Sequence, residues 1–317
     1  YLAGDLKDVP FSLSYPVGEA LRYGENPHQK ASFHKLPGDH GYSMASAVKL
    51  HGKDLSYNNI ADAQAALDIL KAFDEPTAVA VKHMNPCGIG SAPSILKAFE
   101  KAYLADPVSI FGGIVAVNNP IGLELASTLS ALFLEVILAP SFDDDALGIL
   151  TKKKNVRLIR FTETKTAGTK TFRSIPGGLL VQDDDQDLIG EISVPTVSKP
   201  SEKDMKELMF AYKAVKGVKS NAIVITKNFQ TIGIGAGQMS RVGAARIALD
   251  QAKDEARDAY LASDAFIPMP DTVELAASSG IKAIIQPGGS IKDQIVTDLC
   301  DKHGIAMVMT DMRHFKH

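Results

Sequence analysis

Two stretches of this chain read alike, and the likeness limits the folds open to it. A-V-A-V-K-H-M-N-P-C-G-I-G in the first half and A-I-V-I-T-K-N-F-Q-T-I-G-I-G in the second each join an apolar run, a lysine and Gly-Ile-Gly. The spacing from Lys82 to Gly88 equals that from Lys227 to Gly233. Each copy follows one amphipathic helical pattern and precedes another. Ahead of the first copy, Ala63, Ala66, Leu67, Leu70 and Phe73 fall at helical spacing, with Asn58 or Asn59 placed to cap the helix. Ahead of the second, Ser201 with Asp204 starts a helix running to about Lys216. A doubled helix–strand–helix order favours two related α/β units, whose sheet edges offer places for a site.

The first copy carries the chemistry. Residues 77–81 are β-prone or small and apolar, which predicts a buried strand. It delivers Lys82 and His83 side by side ahead of a predicted turn at Asn85-Pro86 and Gly88, and a helix opens at Pro93. Open α/β sheets bind ligands at the carboxyl ends of strands. A Lys-His pair there can hold an anion, move a proton or stabilise an oxyanion. The alternative is a polar strand end facing solvent.

The remaining pattern alternates. Residues 110–117 predict a buried strand entered through a Gly pair, and residues 123–133 a helix. Residues 134–139 predict a strand carrying Glu135, a lone carboxylate that is either a ligand contact or an ion-pair member. Periodicity loosens over 156–199, which places a domain junction near Pro195, with domains 1–195 and 196–317. Beyond it come a strand at 221–226, a tight turn at 227–230 and an Ala-rich helix at 240–261. Then follow a helix at 271–279, a strand at 281–285, a Pro-Gly-Gly-Ser turn, a helix to about Lys302 and a strand at 305–309.

Composition excludes several classes. The 317 residues are 45% hydrophobic and 22% charged with net charge −3, which carries no nucleic-acid footprint. No apolar run approaches a membrane span. Two cysteines are too few for a disulfide scaffold or a structural zinc site, and together these features predict a soluble chain in a reducing compartment. The first residue is Tyr1, as expected of a piece of a longer chain. G-I-G-A-G-Q has Gln238 where a dinucleotide fingerprint needs its third glycine. Pro86-Cys87 lacks the second cysteine and the H-x-E of zinc deaminases.

L-R-Y-G-E-N-P-H-Q, D-L-S-Y-N-N-I-A-D, V-K-H-x-N-P-C-G, S-N-A-I-V, I-G-I-G-A-G-Q-M-S-R-V, S-D-A-F-I-P and the terminal R-x-F-x-H lie in order along the chain. Together they resemble 5-aminoimidazole-4-carboxamide ribonucleotide (AICAR) transformylase. That activity is the C-terminal part of the bifunctional purine biosynthesis protein that also carries IMP cyclohydrolase, whose domain looks absent here. The resemblance implies an α/β fold of two tandem cytidine-deaminase-like domains lacking the zinc site. It also implies a cytoplasmic homodimer with shared active sites, which moves a formyl group from 10-formyltetrahydrofolate to the 5-amino group of AICAR. No zinc, nucleic acid or membrane is implied, and a monovalent cation is left open. The competing expectation is a non-catalytic nucleotide-binding module that keeps the fold.

By the same resemblance Lys82, His83 and Asn221 are catalytic. Arg22, Tyr23, Gly112, Glu135, Arg241, Arg313 and His317 contact the nucleotide, and Val242, Phe266, Asp271, Ser290 and Ile291 contact the folate. The physics agrees with these roles. Arginine grips phosphate bidentately. The AICAR amine is a poor nucleophile that needs help losing its proton. A neutral imidazole beside a charged ammonium avoids two adjacent cations.

Overall fold

Successive residues of a strand face opposite ways, and the central strands here are apolar on both faces; the computed structural model, which describes residues 12–164 and 170–317, packs helices on both. Residues 165–169, within the loose stretch at 156–199, fall outside the described residues. Strands β1 (Glu19–Leu21) and β2 (Ala31–Phe33) form a ribbon that closes the loop at 22–30. The first large sheet contains β3 (Val48–His51), β4 (Thr77–Lys82), β5 (Asn85–Ser91), β6 (Ile114–Val117), β7 (Val136–Ala139) and β8 (Arg157–Arg160). Its strand order is β3-β8-β7-β6-β4-β5. Its helices are α1 (Tyr57–Leu70), α2 (Ile95–Ala105), α3 (Leu123–Ala131) and α4 (Asp144–Leu150). A second ribbon, β9 (Lys170–Ile175) with β10 (Gly178–Asp183), links it to the rest.

The second large sheet repeats the plan. Strands β11 (Ile223–Thr226), β12 (Thr231–Gly235), β13 (Tyr260–Ser263), β14 (Ala283–Gln286) and β15 (Ala306–Met309) take the order β12-β11-β13-β14-β15. Helices α5 (Glu202–Lys216), α6 (Arg241–Ala252), α7 (Asp271–Ser278) and α8 (Asp293–His303) accompany them. Strand for strand this matches β5-β4-β6-β7-β8, with an antiparallel hairpin at the edge and three parallel strands beyond. Both leading helices begin with a serine capping box, Ser56 with Asn59 and Ser201 with Asp204.

One core unites the two sheets. Val79, Val81, Ile114 and Leu138 from the first and Val224, Ala262, Ile285 and Val308 from the second pack with α1 and α5. Their strand neighbours point outward, Ala78, Ala80 and Val115 toward α2–α4 and Ile223, Leu261 and Met307 toward α6–α8. The Gly-Ile-Gly echo has a packing cause. A Cβ at Gly88 or Gly90 would stand 2.0 or 2.5 Å from carbonyl oxygens of Ala102 or Ala98 on α2. At Gly233 and Gly235 it would stand 1.9 Å from those of Ala248 and Ala244 on α6. The glycines let a helix lie directly on a hairpin strand.

The structure departs from the predicted boundaries at several places. Asn85-Pro86 starts a strand, and the turn lies two residues earlier, at His83-Met84. The Ala-rich run predicted as one helix to residue 261 ends at Ala252; Lys253 (φ 50°) and Asp258 (φ 60°) turn the chain left-handed, and Tyr260–Ser263 becomes a central strand. Glu135 and Asn221 precede their strands instead of lying in them. Residues on either side of the predicted junction pair with β15: Ser193 exchanges backbone bonds with Met309, and the Thr196 hydroxyl accepts from Met307 N–H at 2.9 Å.

Candidate active site

Lys82 ends β4, and His83 and Met84 form the hairpin turn with φ of 54° and 60°. Two left-handed residues suit a tight hairpin, but a residue with a Cβ gives up about 1–2 kcal/mol in that conformation. The turn leaves His83 exposed and Lys82 half-buried. The Lys82 ammonium donates to the Phe111 carbonyl at 2.9 Å, beside Gly112 (φ 70°). Gly112 N–H in turn donates to the Phe133 carbonyl at 2.8 Å. Because β4 runs antiparallel to β6, its carboxyl end meets the amino ends of β6 and β7, where Gly112 and Glu135 stand. Lys82 and His83 therefore stand at the carboxyl end of β4, whereas Gly112 and Glu135 stand at the amino ends of its neighbours.

Glu135 is an ion-pair member. Its carboxylate lies 2.5 Å from Arg157 Nη1, and the same guanidinium donates to the Asp54 carbonyl at 3.1 and 3.0 Å. The loop at 22–30 joins this side of the molecule through Asn58 near the start of α1, whose side-chain amide donates to the Glu25 carbonyl at 3.2 Å. Arg22 lies with its guanidinium carbon 5.4 Å from the centre of the Tyr23 ring.

The second half contributes a separate node. Arg241 is buried at the start of α6, and its Nη1 donates to Asp264 at 2.5 Å and to the Ser263 hydroxyl at 2.8 Å. Its Nη2 donates to the Asn221 side-chain oxygen at 2.6 Å, and the Asn221 amide donates to the Gln238 carbonyl at 2.8 Å. Asn221 is thus fixed from both ends. Asp264 is fully buried and its second oxygen accepts from Ser220 Oγ at 2.5 Å. Breaking such a buried pair on one side leaves an uncompensated charge.

The C-terminal tail is tied to this node. Ser220 N–H donates to the Lys316 carbonyl, and His314 N–H donates to the Asp264 carbonyl at 2.8 Å. The buried His314 ring meets Asp185 at 2.6 Å and the Leu188 carbonyl at 2.9 Å. Burial alone would raise the Asp185 carboxyl, but His314 and Lys216 hold it below its ordinary value. Burial pushes the Lys316 ammonium down. Arg313, with its guanidinium carbon 4.8 Å from the Phe315 ring centre, and His317 remain exposed.

A link joins the two groups within one chain. Asn85, two residues past His83, donates from its amide to the His83 carbonyl at 3.3 Å and accepts from Lys219 N–H at 3.2 Å. Lys219 leads directly into Ser220 and Asn221. The expected folate contacts lie at the carboxyl edge of the second sheet. Phe266 follows β13, Asp271 opens α7, Ser290 and Ile291 follow β14, and Val242 sits in the first turn of α6. Gln286, fully buried, accepts from Ile267 N–H and Gly288 N–H at 3.1 Å each, fastening two of these loops together.

Sequence reasoning missed Arg157, Asp264, Gln286 and Asn85 as organising residues. The need of Glu135, a lone carboxylate, for a partner pointed toward a cation such as Arg157; no local pattern marked the others. Among the described residues no group of three or more His, Cys, Asp or Glu side chains is placed to hold a metal ion. The Cys87 thiol is pushed up to about 12, first by burial and then by Asp106, so it stays protonated near neutrality.

The family model for the AICARFT/IMPCHase bienzyme matches residues 2–251. The chain belongs to that family. It is 56% identical over 310 residues to the bifunctional purine biosynthesis protein PurH of Oceanobacillus iheyensis, covering 97% of this chain and 61% of that protein. It is 54% identical over 317 residues to the PurH protein of Halalkalibacterium halodurans, covering 99% of this chain and 62% of that one. The chain thus spans about three fifths of the length of the curated relatives it matches. Among solved structures, Acinetobacter baumannii RibD (form 2) aligns at 16% identity over 32% of each chain, with a TM-score of 0.24, an overlap too slight to carry an argument.

Proposed function

We propose that this chain transfers a formyl group from 10-formyltetrahydrofolate to the 5-amino group of AICAR, giving formamido-AICAR and tetrahydrofolate in purine biosynthesis. The observation that carries it is the Lys82–His83 pair, presented at a hairpin turn and joined through Asn85 and Lys219 to the fixed amide of Asn221. Family membership and the PurH relatives support the reading.

In the reaction the amine nitrogen bonds the formyl carbon, and the bond from that carbon to folate N10 breaks. The amine loses a proton and N10 gains one. His83 takes the amine proton as general base. Lys82 stabilises the oxyanion of the tetrahedral intermediate, or supplies the proton to N10, and Asn221 adds a fixed dipole that does not titrate. Arg22, Tyr23, Gly112, Glu135, Arg241, Arg313 and His317 hold the nucleotide; Glu135 and Arg241 do so while already paired within the chain. Val242, Phe266, Asp271, Ser290 and Ile291 hold the folate.

The architecture is read as two cytidine-deaminase-like domains, at 1–195 and 196–317, lacking a zinc site. The repeated strand order supports this division. The working form is a cytoplasmic homodimer with shared sites. The decisive assay supplies AICAR and 10-formyltetrahydrofolate to the purified chain. Formamido-AICAR is the expected product, and AICAR binding without product would reduce the chain to a nucleotide-binding module. Full specific activity in a monomeric fraction on sedimentation would remove the shared site.

A further inference from the structure

We infer that Asp62 is a positioning residue for the formyl transfer, holding the turn that presents His83. The inference rests on the functional reading above. It starts from the geometry of the turn. In a two-residue hairpin turn the N–H of the second central residue lies outside the strand ladder and needs an acceptor. Met84 N–H finds one in Asp62 Oδ1 at 2.8 Å. Asp62 is half-buried on α1, a rigid helix packed against β4 by its apolar face. The bond therefore ties a strained turn to the scaffold.

The second half of the chain repeats the device. Asn228 and Phe229 form the β11–β12 turn with φ of 54° and 55°. Phe229 N–H donates to both carboxylate oxygens of Glu207, at 3.1 and 3.0 Å. Glu207 occupies the same place in α5 that Asp62 occupies in α1, counted from the capping serine. The offset from Asp62 to Glu207 equals that from Lys82 to Lys227 and from Met84 to Phe229. An acid at this helix position thus belongs to the hairpin architecture. In the second copy the turn carries Asn228, which cannot titrate. In the first it carries His83, so there the same bond fixes where a proton acceptor stands. Asp62 touches no reacting atom and acts only through the turn.

The paired hairpins supply their own control. Asp62→Ala, Asp62→Asn and Glu207→Ala are compared in the full chain by steady-state formyl transfer, thermal unfolding and amide hydrogen exchange. Asp62→Ala is expected to lower kcat about 10-fold, with KM for AICAR and folate within about twofold, because a misplaced base costs turnover more than binding. Asp62→Asn keeps an acceptor oxygen and should retain most of kcat. Glu207→Ala removes the corresponding bond in the other hairpin and should lower stability comparably while leaving kcat unchanged. Equal loss of kcat in Glu207→Ala and Asp62→Ala would overturn the inference, as would full kcat in Asp62→Ala. Loss of kcat in Asp62→Asn with unchanged exchange would assign Asp62 to the chemistry itself, which also overturns a positioning role. Exchange at Met84, read without substrates, separates the two levels of failure. A wild-type chain with slow exchange and no formyl transfer sinks the functional reading, whereas exchange unaltered by Asp62→Ala sinks the positioning claim.

Discussion

Lys82 and Lys227 make the same contact in the two halves of the chain. Each ends or follows the first strand of a hairpin, and each donates to a carbonyl three residues ahead of the neighbouring antiparallel strand: Lys82 to Phe111 at 2.9 Å, Lys227 to Arg257 at 2.8 Å. What separates them is their company. Lys82 is followed by His83 and faces Gly112, whereas Lys227 is followed by Asn228 and lies 3.9 Å from the Glu255 carboxylate. One ammonium is followed by a base; its counterpart has an acid nearby.

Lys82→Met and His83→Ala should each lower formyl-transfer turnover by about 10²-fold or more while AICAR binding changes little, since both groups act chiefly on the transition state. Stopped-time product assays with calorimetric titration of AICAR check this. Near-wild-type turnover in either variant would strike that residue from the mechanism.

Arg22→Ala and Arg313→Ala should each weaken AICAR binding by roughly 2–4 kcal/mol, with folate affinity little altered, the order expected when a charge-assisted hydrogen bond is removed from a desolvated site. Each guanidinium lies near a neighbouring ring, Tyr23 or Phe315. Unchanged AICAR affinity in both variants would move the phosphate elsewhere.

Gly235→Ala should destabilise the fold by about 1–3 kcal/mol, because the added methyl meets the backbone of α6 and must push helix from strand. Gly148→Ala, in α4 with open space around it, should instead stabilise by about 0.5–1 kcal/mol. Urea midpoints of the two variants are expected on opposite sides of wild type. The same sign for both would contradict the packing account of the Gly-Ile-Gly echo.

Asp204 links stability to acid. Burial opposes its charge, but Lys282 at 2.7 Å, Tyr260 at 2.6 Å and the Ser201 N–H and hydroxyl hold its carboxyl well below the ordinary range. A carboxyl lowered on folding adds stability that is complete above the unfolded value near 4 and disappears as pH falls toward the folded one. Lys282 is half-exposed, so solvent trims its share. Asp204→Asn should cost about 2–3 kcal/mol at pH 7 and less at pH 3. A constant difference between wild type and variant across that range would exclude the linkage.

Much of this was legible in the residues. Apolar runs located β4, β6, β7, β11, β14 and β15, most of the central strands of the two large sheets, and the echo foretold two sheets of one plan. The hairpin turn was hidden because His83-Met84 has none of the Gly or Asn that left-handed turns favour. Pro86 and Gly88 read as breakers, although an edge strand tolerates proline and a close helix demands glycine. The second copy held the missing clue, since 227–230 reads as a tight turn and transfers directly to 82–85. The partners of Glu135 and Arg241 lie 22 and 23 positions away, set by tertiary folding and invisible to local pattern.

The hairpins also meet each other. Ser91 N–H donates to the Phe229 carbonyl at 2.9 Å, Ile89 N–H donates to Thr231 Oγ1 at 2.9 Å, and Gly90 bridges Gln230. Strands β5 and β12 are the outer strands of their sheets, and both are short, glycine-rich and poor in charge. Such an edge on a lone sheet invites pairing with another chain and ordinarily needs lysines or a bulge to discourage it. Here each half supplies the other's guard: each of these two edges is covered by its own duplicate rather than left open to a foreign strand, which leaves both strands free to meet the needs of the helices behind them.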